Sequence, residues 1–311
     1  MSFLVEVENI LKTTINALPP LLLAGLGGMI TSKVGVLNLG LEGMMLMGAF
    51  TAILTNYATG SAMLGLLAAV ILGGLVGLAF AFFNIRLKVN NIIMSVGINM
   101  FAVAITKYLL GIIFKASGAF TSDKIVKIPV ISMKFLSGIP ILKVFHNLSL
   151  IFWLLIPVTA LLGFAVNRTR WGLHVRATGL NDLTVETAGV NPSRIRYACI
   201  ALSGLFCGMA GAYLSTSYLA MFTNGMTSGR GFLGNIASVM GNRTASGTLL
   251  GSLLFSFTDG ATMKIQTFGF PSQLIQLIPY VVAFIVVILN AVIKRHKIRK
   301  KAASQAIKVH T

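Results

Sequence analysis

Acidic residues are scarce in this chain: seven Asp and Glu stand among 311 residues, and all charged residues together make up 10%. So few charges cannot cover a water-facing surface, which excludes an ordinary soluble globular fold. The scarcity removes chemistry as well. No paired-carboxylate or Ser/His/Asp arrangement is visible, and His146, His174, His296 and His310 are scattered over expected loops and tail, without metal-ligand spacing. No Gly-x-x-x-x-Gly-Lys-Ser/Thr run occurs, so the chain has no Walker-type phosphate cradle and binds no cofactor of its own; any ATP is left to another subunit. These absences exclude an enzyme. Cysteine is nearly missing too. Cys199 and Cys207 are separated by about 12 Å of helical rise, too far for a disulfide, and read as small packing residues. The opening stretch MSFLVEVENILKTT holds Glu6 and Glu8 and no basic n-region, so it does not read as a cleaved signal, and the first span is expected to stay in the mature chain.

What is abundant is apolar. Hydrophobic residues make up 56% of the chain, and the mean hydropathy is +0.86. The expected fold is an all-α polytopic membrane protein with about 8–10 transmembrane helices, each needing roughly 20 apolar residues. Spans are expected at 11–31, 35–57, 61–84, 91–114, 149–167, 197–219, 246–265 and 272–293, with a shorter or broken segment at 230–241. Residues 1–293 form the transmembrane domain and 294–311 a basic cytoplasmic tail. Spaced four apart, Gly73 and Gly77, and Gly204 and Gly208, allow close helix contact.

The 25 Lys and Arg cluster beside these spans. Seven lie between Lys294 and Lys308, and five arginines between Arg168 and Arg196. They read as cytoplasmic anchors able to touch anionic lipid. No basic patch is interleaved with aromatics, which excludes nucleic acid as a partner. Arg86 with Lys88, the 168–196 loop and the tail then belong inside, and alternation puts the N-terminus and the 115–148 loop outside. Lys115, Lys124, Lys127, Lys134 and Lys143 in that outer loop run against the rule, but inverting the chain would export the denser clusters. Trp171, beside Arg168 and Arg170, is expected to be an interfacial belt residue.

The most telling segment is Arg176 to Asn191, RATGLNDLTVETAGVN, a polar stretch between two long apolar runs. Gly179-Leu180 is a break, Asn181 an N-cap, Asp182 a negative charge on the first turn, and Gly189 a left-handed stop. A helix over Asp182–Ala188 is roughly two turns, too short to be stable without a partner. It is a small docking helix or an ordinary capped loop helix. The pattern RAxGxNxxxxxxAGxN resembles the coupling-helix signature of the inner-membrane permeases of ATP-binding-cassette importers in the branched-chain amino acid, ribose and nucleoside group, with Arg176, Ala177, Gly179, Asn181, Ala188, Gly189 and Asn191 on the pattern. Val34–Phe50, VGVLNLGLEGMMLMGAF, is similar to that family's N-terminal motif, above all to its nucleoside and simple-sugar branch. Gly229–Asp259 is similar to its C-terminal motif, although Thr244-Ala245-Ser246 stands where many members have Pro or another small residue.

The resemblance implies a permease subunit for nucleosides, or next for simple sugars. It implies a cytoplasmic ATPase carrying the ATP and Mg, a second permease subunit, itself or a paralogue, and an extracellular solute-binding protein. It places Arg176, Gly179, Asn181, Asp182, Thr184, Glu186, Ala188, Gly189 and Asn191 against the ATPase.

Ionisable residues inside spans are functional candidates because burying charge in lipid is costly. Glu42 lies four residues after Asn38, and therefore on the same helical face, and is either a conduit carboxylate or a structural anchor to a neighbouring helix. Asp259 pairs with Lys264, binds solute, or is solvated at the interface; Lys107 snorkels. Asn235 and Ser238, with Phe232 nearby, either line the solute pathway or pack helices. In an ion-coupled carrier, the rival reading, Glu42 or Asp259 would titrate with the driving proton.

Overall fold

The computed structural model describes residues 2–131, 144, 146–266, 277–288 and 292, with side chains placed from residue 8 onward apart from 263, 264 and 266. Apolar runs fold as helices because lipid offers backbone groups no partner outside their own segment. In chain order they are α1 (Ser2–Lys33), α2 (Leu41–Thr59), α3 (Ala62–Ala81), α4 (Asn91–Phe114), α5 (Leu150–Arg168), α6 (Arg170–Thr178), α7 (Asp182–Thr187), α8 (Pro192–Tyr213), α9 (Arg230–Met240), α10 (Ala245–Gln266) and α11 (Ile278–Ile288). Short π-helical turns, Phe82–Arg86 and Leu214–Tyr218, extend α3 and α8. Two-residue strands staple the loops. β1 (Ala119–Phe120) pairs antiparallel with β4 (Phe222–Thr223), and β2 (Val130–Ile131) with β3 (Leu148–Ser149).

The molecule is an all-α polytopic membrane protein. Among the described residues, five helices are long and apolar enough to cross a membrane: Glu8–Lys33, Ala62–Arg86, Asn91–Phe114, Leu150–Arg168 and Pro192–Tyr218. α1 is the axis of the bundle, 89% of its most apolar window being buried, whereas only 22% of that of α4 is. α1 is also the least hydropathic of the five, and a helix carrying polar side chains is better placed inside the bundle than against lipid. α8, α9 and α10 surround it, and α2 and α3 pack on the far side of α8 through glycine. A Cβ on Gly73 would collide with the Gly204 carbonyl, one on Gly204 with the Gly73 carbonyl, and one on Gly48 would stand 2.7 Å from the Gly208 Cα. Cys199 and Cys207 are buried free thiols in α8.

Two local expectations are corrected. The expected span 35–57 begins as helix only at Leu41, so Asn38 and Glu42 do not share a helical face. Gly35 (φ +78°) closes α1, with the Val36 N–H donating to the Thr31 carbonyl, and Asn38 Oδ1 takes the Gly40 N–H at 2.9 Å. That turn outcompetes the helix, and Val34–Gly40 becomes a strap. The 168–196 loop holds a second helix, α6, capped by Thr169, whose hydroxyl accepts from the Gly172 N–H at 3.1 Å. Trp171 lies in α6, partly buried against the main core. The rest of the 272–293 expectation outside 277–288 and 292, and the tail 294–311, lie outside the described residues.

Candidate functional site

One end of the bundle carries the docking loop. Asn181 Oδ1 accepts from the Leu183 N–H at 3.0 Å to start α7, and Gly189 (φ +77°) ends it. α7 runs over Asp182–Thr187, one residue short of expectation, and its buried residue is Val185. Leu180 and Leu183 are 89% and 69% exposed, an apolar pair presented away from the bundle. Thr184, Glu186, Ala188 and Asn191 are exposed as well. Asn191 Oδ1 caps α8 by accepting from the Arg194 N–H at 3.3 Å, and Arg176 Nε turns back to the Gly172 carbonyl at 3.4 Å.

This loop is tied to the end of α1. Gly179 lies so close to Lys33 that a Cβ would strike the Lys33 carbonyl oxygen. Asp182, expected as a charge on the first turn and a contact to the ATPase, forms a two-pronged pair with Arg196, Nη1 to Oδ2 at 2.8 Å and Nη2 to Oδ1 at 2.9 Å. The same guanidinium donates from Nε to the Val34 carbonyl at 3.3 Å. Arg243, in the turn between α9 and α10, donates to the Ser32 carbonyl at 3.5 Å. The Gly241-Asn242-Arg243 turn therefore lies at the same end as the docking loop. Thr244, standing where many resembling sequences have Pro or a small residue, starts α10 by accepting the Gly247 N–H at 3.1 Å.

Deeper in the bundle is a polar knot. α9 is 11 residues long, about 16 Å, so its N-terminus is set well inside the protein. The Glu42 carboxylate caps it: Oε1 accepts from the Gly229 N–H and Oε2 from the Gly231 N–H, both at 2.7 Å. Negative charge is favoured there by the unpaired N–H groups and the helix dipole. Beside it Arg230 Nη2 pairs with Asp259 Oδ2 at 3.2 Å, the two side chains being 14% and 17% exposed. The Tyr280 hydroxyl donates to the Ser228 carbonyl at 3.0 Å. Asn235 Nδ2 donates to the Asn38 carbonyl at 3.3 Å, while its Oδ1 is buried without a partner and faces Gly28. Ser238 is buried and donates to the Asn235 carbonyl at 2.8 Å. Phe232 is 37% exposed.

Asn38, Glu42, Asn235 and Ser238 are thus gathered around α9, and Asp259 joins them through Arg230. Asp259 takes Arg230 as its ion-pair partner; the Lys264 side chain lies outside the described ones. Arg196 and Arg230 are residues that sequence reasoning missed. Each carried one signal, a cation beside an apolar run with few acids nearby, but their carboxylates lie 14 and 29 residues away. Among the described residues no group of three or more His, Cys, Asp or Glu is placed to hold a metal ion.

A family model described as "Branched-chain amino acid transport system / permease component" matches residues 10–290. The chain belongs to this permease family. The permease is similar to the nucleoside ABC transporter permease protein NupC of Lactococcus lactis, 31% identical over 87% of this chain and 88% of that one. It is similar to the guanosine ABC transporter permease protein NupQ of Bacillus subtilis, 32% identical over 82% of each. The putative glucose ABC transporter permease protein TsgC13 of Haloferax volcanii is 29% identical over 86% of this chain and 80% of its own length. No solved structure matches the permease. As a member of this family the permease is a transport subunit, and its several apolar helices make it a multi-pass membrane protein.

Proposed function

We propose that this permease is the membrane subunit of an ATP-binding-cassette importer for nucleosides. The observation that carries the reading is α7, a capped two-turn helix that offers Leu180 and Leu183 to a partner while its base is pinned by Arg196. A helix this short needs such a partner. In this reading a cytoplasmic ATPase holding ATP and Mg receives α7, a second permease subunit completes the pathway, and an extracellular binding protein delivers the solute. The N-terminus is outside and the basic tail inside. The nucleoside assignment rests on the two relatives named for nucleosides and guanosine.

The polar knot agrees with an uncharged solute. Its helix N-terminus is already filled by Glu42, and Arg230 already has Asp259, so neither seat awaits an anion. A nucleoside offers hydrogen bonds without charge and suits Asn38, Asn235 and Ser238, with Phe232 beside them for its base. Glu42 acts in this scheme as the anchor of α9.

The test is purification of the chain with its native partners, followed by ATP hydrolysis with candidate solutes. An associated ATPase stimulated by nucleosides through a binding protein is expected. Stimulation by simple sugars alone overturns the solute assignment, and a lone chain whose uptake is abolished by a protonophore overturns the importer.

A further inference from the structure

The three motifs that stand far apart in the sequence are joined by one short piece of backbone. The strap Val34–Gly40 and the first turn of α2 hold the docking loop at one end and α9 at the other. At the first end Arg196 grips the Val34 carbonyl with Nε while its two terminal nitrogens hold Asp182 of α7. At the second end the Asn38 carbonyl takes Asn235, and the Glu42 carboxylate takes the Gly229 and Gly231 N–H groups. Between them α4 grips the middle: the Ser95 hydroxyl accepts from the Leu39 N–H at 3.0 Å, and Asn99 bonds both the Leu39 carbonyl and the Gly43 N–H.

From this we infer that Arg196 is a positioning residue that couples α7 to α9 through the strap. The inference rests on the importer reading. A planar guanidinium with a fixed fork satisfies three acceptors on two elements at once, which the two-donor, uncharged amide of glutamine cannot do. When α7 is displaced, Asp182 carries the Arg196 head with it, and Val34 is drawn along because the same rigid group holds it. The strap with the start of α2 is only nine residues long from Val34 to Glu42, and its far end, the Glu42 carboxylate, caps the N-terminus of α9. Displacement at the docking loop therefore reaches the polar knot without passing along a whole membrane helix.

The experiment uses the complete importer, permease with its ATPase and binding protein, in proteoliposomes. Arg196→Gln is expected to keep the ATPase bound but to lower solute transported per ATP hydrolysed at least tenfold. Vanadate trapping is expected to change hydrogen exchange of the Gly229–Gly231 stretch in the unaltered protein and to leave it unchanged in Arg196→Gln. Asp182→Ala leaves Arg196 able to hold the Val34 carbonyl but cuts α7 from it, so it is expected to assemble and remain uncoupled. Transport per ATP within twofold of the unaltered protein in either variant, or a vanadate response at α9 that persists in either, overturns the inference. An unaltered complex without an ATPase or ATP-driven uptake overturns the importer reading instead, before any variant is read.

Discussion

Gly179 sits where the docking loop meets α1, and its side of the contact has no room for a methyl group. Its φ is ordinary, −74°, so what demands glycine is the Lys33 carbonyl, not backbone strain. Gly179→Ala must separate the two backbones, at a cost of about 1–3 kcal/mol typical of overpacking. Thermal unfolding in detergent should show the loss, and an unchanged midpoint would mean the loop is not seated on α1. Glu42 works differently. Its two oxygens serve two N–H groups at 2.7 Å, and hydrogen bonds to charged groups are worth about 1.5–3 kcal/mol. Glu42→Gln keeps one acceptor and points an amide at the other donor. Hydrogen exchange at the start of α9 should quicken roughly thirtyfold, the equivalent of about 2 kcal/mol.

At the scale of elements, α7 and the α3–α8 seam have opposite requirements. α7 is held by its caps, by Val185 and by the Asp182–Arg196 pair, so few contacts carry it. Asn181→Ala should cost about 1 kcal/mol and weaken ATPase co-purification, while Asn181→Asp, which still caps, should retain it. Equal retention by both variants would detach docking from the capped helix. The seam between α3 and α8 depends on glycines facing glycines, where contact is made backbone to backbone. Gly204→Val should force those helices apart and reduce the yield of folded protein in the membrane, measured by fluorescence-detected size exclusion. The glycine spacing was visible as a pattern of fours. Which helix each pair meets was not, because one periodicity is compatible with any neighbour that has a matching groove.

For the whole molecule, the consequence is a polarity of ends. The docking loop, the end of α1 and the Gly241-Asn242-Arg243 turn share one end. The β1–β4 pairing and the aromatic cluster of Tyr57, Phe114 and Phe120 occupy the other. With Cys199 and Cys207 buried, a single introduced thiol reports the side of the membrane cleanly. Leu183→Cys should react with an impermeant reagent only from the cytoplasm and Ser117→Cys only from outside; the reverse pattern would invert the topology.

Long apolar runs between charged clusters identified the helices, several to within a residue or two, since a chain in lipid has hardly any other way to satisfy its backbone. The α7 helix was equally legible, because Asn181 and Gly189 act on bonds within their own turn. Gly35 and the Asn38-Leu39-Gly40 turn carried a local signal as well, overlooked within an apolar run. The pairs that build the site are of another kind. Asn38 meets Asn235 across 197 residues, Glu42 meets Gly229 across 187, and Arg230 finds Asp259 in preference to any neighbour in the chain. Hydrophobic period and capping residues describe a segment's own turns. Which carboxylate faces which amide depends on how the bundle packs, and that was settled only when α1, α2 and α9 came together.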